Sequence, residues 1–135
     1  MRGLSPVLFA LLAIGCAQTP KQAARAAADA DRTQAKLTTA LAGLTPGKPM
    51  TCMPNLPTQT MQAYGPTLLY RVSGRLIYRN DTAGGCERAG SDDILVTRSP
   101  TGQLCSGDIG QTVDRGSRIP TGSCSLRDFV PYRRP

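Results

Sequence analysis

The sequence predicts an α+β fold: an N-terminal signal and an Ala-rich helical stalk, followed by a small β-rich, disulfide-stabilised domain. Three observations carry this. Residues 21–42 hold nine Ala and neither Gly nor Pro, a composition of high helix propensity. The remainder is dense in turn-forming residues, with 14 Gly and 11 Pro in the chain, and so implies short elements joined by many turns. Four Cys, at 52, 86, 105 and 124, are spread over that second part. With 135 residues the chain has room for one small domain and an appendage. The expected organisation is a signal at 1–15, a stalk and linker at 16–47, and the domain at 48–135.

Arg2 precedes a mostly apolar run at residues 4–14 that ends in small residues. A charged start, an apolar run of about 11 residues and a small-residue end form the pattern of a bacterial secretory signal. The run falls short of the about 20 apolar residues needed to span a bilayer. Ala13-Ile14-Gly15-Cys16 resembles a lipobox, with Ala13 where Leu is usual. The resemblance implies cleavage before Cys16 and its acylation with palmitate-type chains, an anchor stronger than one acyl chain. Ala17 follows instead of Asp, which in the sorting pattern implies the periplasmic side of the outer membrane. The alternative is cleavage after Ala17, which makes a soluble periplasmic protein.

The helix is expected over residues 19–42. Thr19-Pro20-Lys21-Gln22 fits a capping box with Pro at the first helical position. Gly43 and Pro46-Gly47 end it. Its apolar face is thin: Ala23, Ala27, Ala30, Leu37, Leu41 and Leu44. That favours a solvated stalk over a short coiled coil. Residues 45–66, with five Pro, read as a linker.

The clearest β signal is a hairpin, residues 67–72 and 75–80, around Ser73-Gly74. In that register Tyr70 faces Ile77, Leu69 faces Tyr78 and Val72 faces Arg75. One face then carries Leu68, Tyr70, Val72, Arg75, Ile77 and Arg79; the other carries Leu69, Arg71, Leu76 and Tyr78. Both are mixed, so neither is marked as the inside. Residues 93–98 read as a third strand, 103–105 as the start of a fourth, 108–113 as a helical turn or strand, 116–122 as loop and 125–132 as a last strand.

With Cys16 as the anchor, four Cys remain, an even number for an oxidising compartment. Two disulfides are expected, and three connectivities are open. The loop-tip positions of Cys86, after Gly84-Gly85, and Cys124, after Gly122-Ser123, favour Cys86–Cys124 with Cys52–Cys105. Each bridge contributes about 2–4 kcal/mol.

The segments Leu68-Leu69-Tyr70-Arg71-Val72, Asp92-Asp93-Ile94-Leu95-Val96-Thr97-Arg98, Gln103-Leu104-Cys105 with Asp108, and Phe129-Val130-Pro131-Tyr132 resemble a group of small uncharacterised proteobacterial lipoproteins of the sphingomonad type. The resemblance covers most of residues 48–135 and includes the same signal-and-stalk layout. It implies an envelope lipoprotein and no particular reaction.

The chain has no His, which removes His-based triads, acid–base catalysis by His and His metal sites. A Ser nucleophile would need a Lys base, and from residue 48 on the sole Lys is Lys48, in the Pro-rich segment. The expectation is a non-catalytic protein without a cofactor. Asp92, Asp93 and Asp108 are the candidates for the competing reading, a carboxylate-dependent enzyme or Ca²⁺ module; Asp81 and Glu87 could add oxygen ligands. Charge is the remaining signal. The net charge is +7, and ten Arg lie beyond residue 48. Arg71, Arg75 and Arg79 recur along the hairpin, and Arg forks bind phosphate and carboxylate. The expected partners are the membrane, through the anchor, and an anionic envelope component or a protein. Nucleic acid is not expected, since no aromatic stacking platform accompanies the Arg residues.

Overall fold

The computed structural model describes residues 18–56 and 59–135; the expected signal, Cys16 and the Cys16–Ala17 alternatives lie outside the described residues. A single helix, α1 (Pro20–Ala40), comes first. The Thr19 hydroxyl accepts from the Gln22 amide at 3.3 Å, and the Gln22 side chain accepts from the Thr19 amide at 3.1 Å, so the capping box satisfies two of the free donors at the helix start. The chain leaves the helix through Gly43 at φ 73°, a conformation that favours glycine.

Among the described residues ten strands follow: β1 (Thr45–Pro46), β2 (Cys52–Met53), β3 (Thr60–Tyr64), β4 (Thr67–Ser73), β5 (Leu76–Asp81), β6 (Ile94–Arg98), β7 (Leu104–Cys105), β8 (Ile109–Val113), β9 (Pro120–Ser125) and β10 (Phe129–Arg133). A 3₁₀ turn, Glu87–Gly90, separates β5 from β6. All pairings are antiparallel: a five-stranded sheet β1-β10-β5-β4-β3, a three-stranded sheet β6-β8-β9 and the short pair β2-β7.

The five-stranded sheet is covered on both faces. On one, Leu68, Tyr70, Tyr78 and Phe129 pack with Met53, Ala63 and Leu126, and Leu95 and Leu104 lie against them. Phe129 is wholly buried, with its ring centroid 5.9 Å from that of Tyr70. On the other, Leu69 and Ile77 meet Leu37 of α1, flanked by Leu41, Leu44, Tyr64 and Tyr132. This explains the mixed faces of the hairpin: both are interior. The last turns of α1 and β1 therefore belong to the folded body. The part of α1 that stands clear of it runs only to about Thr33, the first helix residue to lose exposure.

The hairpin register differs from the expected one by a residue. Tyr70 pairs with Tyr78, Leu69 with Arg79 and Arg71 with Ile77; a bulge between Arg71 and Ser73 then lets Ser73 pair with Leu76. The turn residues are thus Gly74 and Arg75, not Ser73 and Gly74, and the Ser73 hydroxyl accepts from the Arg75 amide at 3.2 Å. One residue of slip turns every β5 side chain to the other face, so Ile77 and Arg79 lie with Leu69 and Arg71. The expected linker also contains β3, which hairpins into β4 through Gly65 at φ 59° and Pro66. The expected loop at 116–122 contains the start of β9.

Pro131 sits inside the sheet without breaking it. Its carbonyl accepts from the Gly47 amide at 2.7 Å, so its missing donor also points toward the 47–50 arm and not into the ladder with β5. That arm, with Met50 and Phe129 exchanging backbone bonds of 2.8 Å, closes the outer edge of β10.

The sulfurs pair Cys52 with Cys105 and Cys86 with Cys124. Each bridge joins the two halves of the body. Cys52 lies on the arm entering the five-stranded sheet, and Cys105 on the excursion between β6 and β8. Cys86 follows β5, and Cys124 lies in β9 beneath Gly110. The loop holding Cys86 runs so close to β9 that a Cβ on Gly85 would overlap the Ser123 carbonyl oxygen, and Gly85 has φ 100°. Gly85→Ala should therefore cost about 3 kcal/mol or more in urea unfolding. Gly74→Ala, with no atom near a built Cβ, should change the midpoint little.

Candidate anion-binding groove

The three Arg candidates of the hairpin do not form one patch. Arg79 is committed: its Nε lies 3.0 and 3.1 Å from the Asp81 carboxylate oxygens, and Asp81 also accepts from the Thr67 hydroxyl at 2.7 Å. Arg75 stands at the hairpin turn, where its carbonyl accepts from the Arg134 amide at 3.0 Å. Arg71 alone faces an open depression, a groove of about 630 Å³ between α1 and the sheet.

The groove follows from the docking of α1. Leu37 buries itself between Leu69 and Ile77, and one residue back along the helix this sets Lys36 at the groove wall opposite Arg71. Ala35 and Ala40 are short enough to leave the space between helix and sheet open. Gln62 and Tyr64, alternate residues of the edge strand β3, complete the wall. The Tyr64 hydroxyl donates to Gln62 Oε1 at 2.8 Å, which fixes the ring at the groove edge. Neither Lys36 nor Arg71 forms a salt bridge among the described residues. A carboxylate, Glu87, lines an adjoining depression that shares Lys36, Gln62 and Tyr64. Glu87 is occupied in accepting from the Gly85 amide at 2.9 and 3.0 Å. Two unpaired cations beside a polar aromatic can take a phosphate or carboxylate.

Lys36, Gln62 and Tyr64 were not candidates in the sequence. Lys36 lies on a helix whose alanine face reads as solvated, and β3 lies in the Pro-rich stretch. The usable signal was Leu37, Leu41 and Leu44, which mark where the helix meets the sheet.

The carboxylates of the competing reading are apart and separately engaged. Asp92 is exposed and lies 3.3 Å from Arg115 Nε. Asp108 accepts from the Cys105 amide at 2.8 Å and closes the turn after β7. Asp93 is buried, paired with Arg88 Nε at 2.9 Å, and accepts from the Thr121 hydroxyl, whose oxygen lies 3.0 Å from the Thr112 hydroxyl. Among the described residues, no three carboxylates or Cys gather as a metal site.

Asp93 is thus a structural anion that ties the 3₁₀ turn to β8 and β9. The Thr121 hydroxyl and the Arg88 guanidinium hold its carboxyl below the ordinary value of 3.8. The lowered pKa means its stabilisation is complete above about pH 4 and is lost as pH falls through the folded value. Asp114, whose carboxylate accepts from the Ser117 amide and hydroxyl, is lowered likewise and acts in the same window. In urea unfolding at pH 7 and pH 3, Asp93→Asn should be less stable than the parent at pH 7, and should lose less on acidification. Comparison with protein-family models, curated proteins and solved structures returns no match for this chain.

Proposed function

We propose that this chain is an exported, lipid-anchored, non-catalytic module of the bacterial envelope, and that its groove between α1 and the five-stranded sheet takes an anionic envelope component. The export signal pattern, the lipobox-like Cys16 and the even set of four further Cys support the location. The single observation that carries the binding role is the pair Lys36 and Arg71, unpaired on facing walls of one groove. Lys36 supplies a mobile point charge and Arg71 a planar fork. An anchor at Cys16 would enter α1 four residues later. The exposed residues 20–32, at 1.5 Å per residue, would then hold the body about 20 Å from the bilayer. The groove would open beside that stem, toward head-group phosphates or cell-wall carboxylates.

The test is cosedimentation of the protein with phosphatidylglycerol vesicles and, separately, with purified peptidoglycan sacculi, over a salt series. The expected result is salt-sensitive binding to one of them, weakened about 10-fold or more in Lys36→Ala/Arg71→Ala. Asp93→Asn should bind as the parent does. Salt-insensitive binding, or equal binding by the double variant, overturns the groove as the site.

A further inference from the structure

The two disulfides are built differently. Cys86 and Cys124 are 0% and 3% exposed, and a Cβ on Gly110 would stand only 3.6 and 3.3 Å from their sulfurs and 3.2 Å from Leu95. No reagent reaches that bridge without opening the body. Cys52 and Cys105 are both half-exposed. They lie directly opposite each other, with Cα atoms 4.0 Å apart, in a ladder of only two residue pairs. Beyond that ladder, among the described residues, one backbone bond, from the Ser106 amide to the Thr51 carbonyl at 2.7 Å, holds the β6–β8 excursion to the arm.

The same excursion walls a cleft of about 290 Å³. Pro54, Asn55 and Gln59 form one side of it; Thr97, Ser99 and Gln103 form the other. The lining is polar, and Gln59 Oε1 is buried without a hydrogen-bond partner among the described residues. Met53 and Leu104, the pair next to the bridge in the β2–β7 ladder, line this cleft, whose two sides come from different halves of the body.

We infer that Cys52–Cys105 is a thiol-exchange site, reduced by an exported dithiol while Cys86–Cys124 stays oxidised, and that its reduction frees residues 99–106 from β2 and opens this cleft. In the exchange, a thiolate of the dithiol attacks one sulfur of the bridge; the S–S bond breaks, and a mixed disulfide forms as the other Cys leaves as thiolate. The second thiol of the reagent attacks the mixed disulfide. The protein gains two electrons and two protons as two thiols, and the reagent leaves as its disulfide. Access selects the bridge; Leu104 of β7 lies against the Phe129 layer, and the ladder of two residue pairs around it makes the opening local.

The test uses the oxidised parent protein and dithiothreitol. Aliquots taken during reduction are alkylated with N-ethylmaleimide and mapped by peptide mass, and the same samples are pulsed with deuterium. Cys52 and Cys105 should be labelled at least ~10-fold faster than Cys86 and Cys124. In the singly reduced species, residues 99–106 should exchange faster while β4 and β5 keep their protection. Simultaneous labelling of all four Cys, or earlier labelling of Cys86 and Cys124, overturns the proposal. So does a singly reduced species whose 99–106 amides exchange as in the oxidised protein.

Discussion

Everything in this molecule depends on one apolar layer shared by two sheets and pinned from both ends by disulfides. The chain has no Trp and two Phe, so the layer is made from Phe129, four aliphatic or sulfur side chains, and two Tyr rings used as hydrocarbon. Burial on that scale contributes roughly 1.5–3 kcal/mol per large side chain, set against the ordering entropy of every residue. The bridges close separations of 53 and 38 residues, which in the chain-entropy account is worth about 4 kcal/mol each. A domain of this size has a net stability of only ~5–10 kcal/mol. Losing one bridge therefore removes a large part of what keeps the halves together. The Asp93–Arg88–Thr121 network and the Asn80 side chain, which bonds both ways with the Arg127 backbone, fix orientation within that frame.

The site is a by-product of how the second face of the five-stranded sheet is covered. A helix rich in Ala cannot seal a sheet, so α1 anchors through Leu37 and leaves a groove beside it. No salt bridge among the described residues reaches Lys36 or Arg71; Asp81 is paired with Arg79, and Glu87 accepts from the Gly85 amide. Arg71, Arg75 and Arg79 look equivalent in the sequence, yet the bulge after Arg71 and the acid at 81 give each a different fate.

The helix and its cap were legible because they rest on local chemistry, Thr19 to Gln22 and Gly43. The strand 94–98 was legible from alternation, whereas 109–113 fits a helical turn as well as a strand by its sequence, because its apolar residues Ile109 and Val113 stand four apart. The hairpin was recognisable as such. Its register was not, because the bulge adds a residue that no pattern in Leu68–Val72 announces. β3 was hidden by the prolines around it, although Met61 and Ala63 alternate inward; β9, Pro-Thr-Gly-Ser-Cys-Ser, carries almost no apolar signal and is buried through Cys124 and backbone packing. The groove was half visible. Arg71 stood out by composition, whereas Lys36 and Tyr64 become partners only through the long-range docking of Leu37.

The most direct test of the central claim is the unfolding free energy of Cys86→Ala/Cys124→Ala in urea beside the oxidised parent. The account predicts a loss of about 3–4 kcal/mol, with faster hydrogen exchange throughout β6, β8 and β9. An unchanged midpoint, with the three-stranded sheet still protected, would show that the apolar layer holds the halves together without the bridge and would contradict the account.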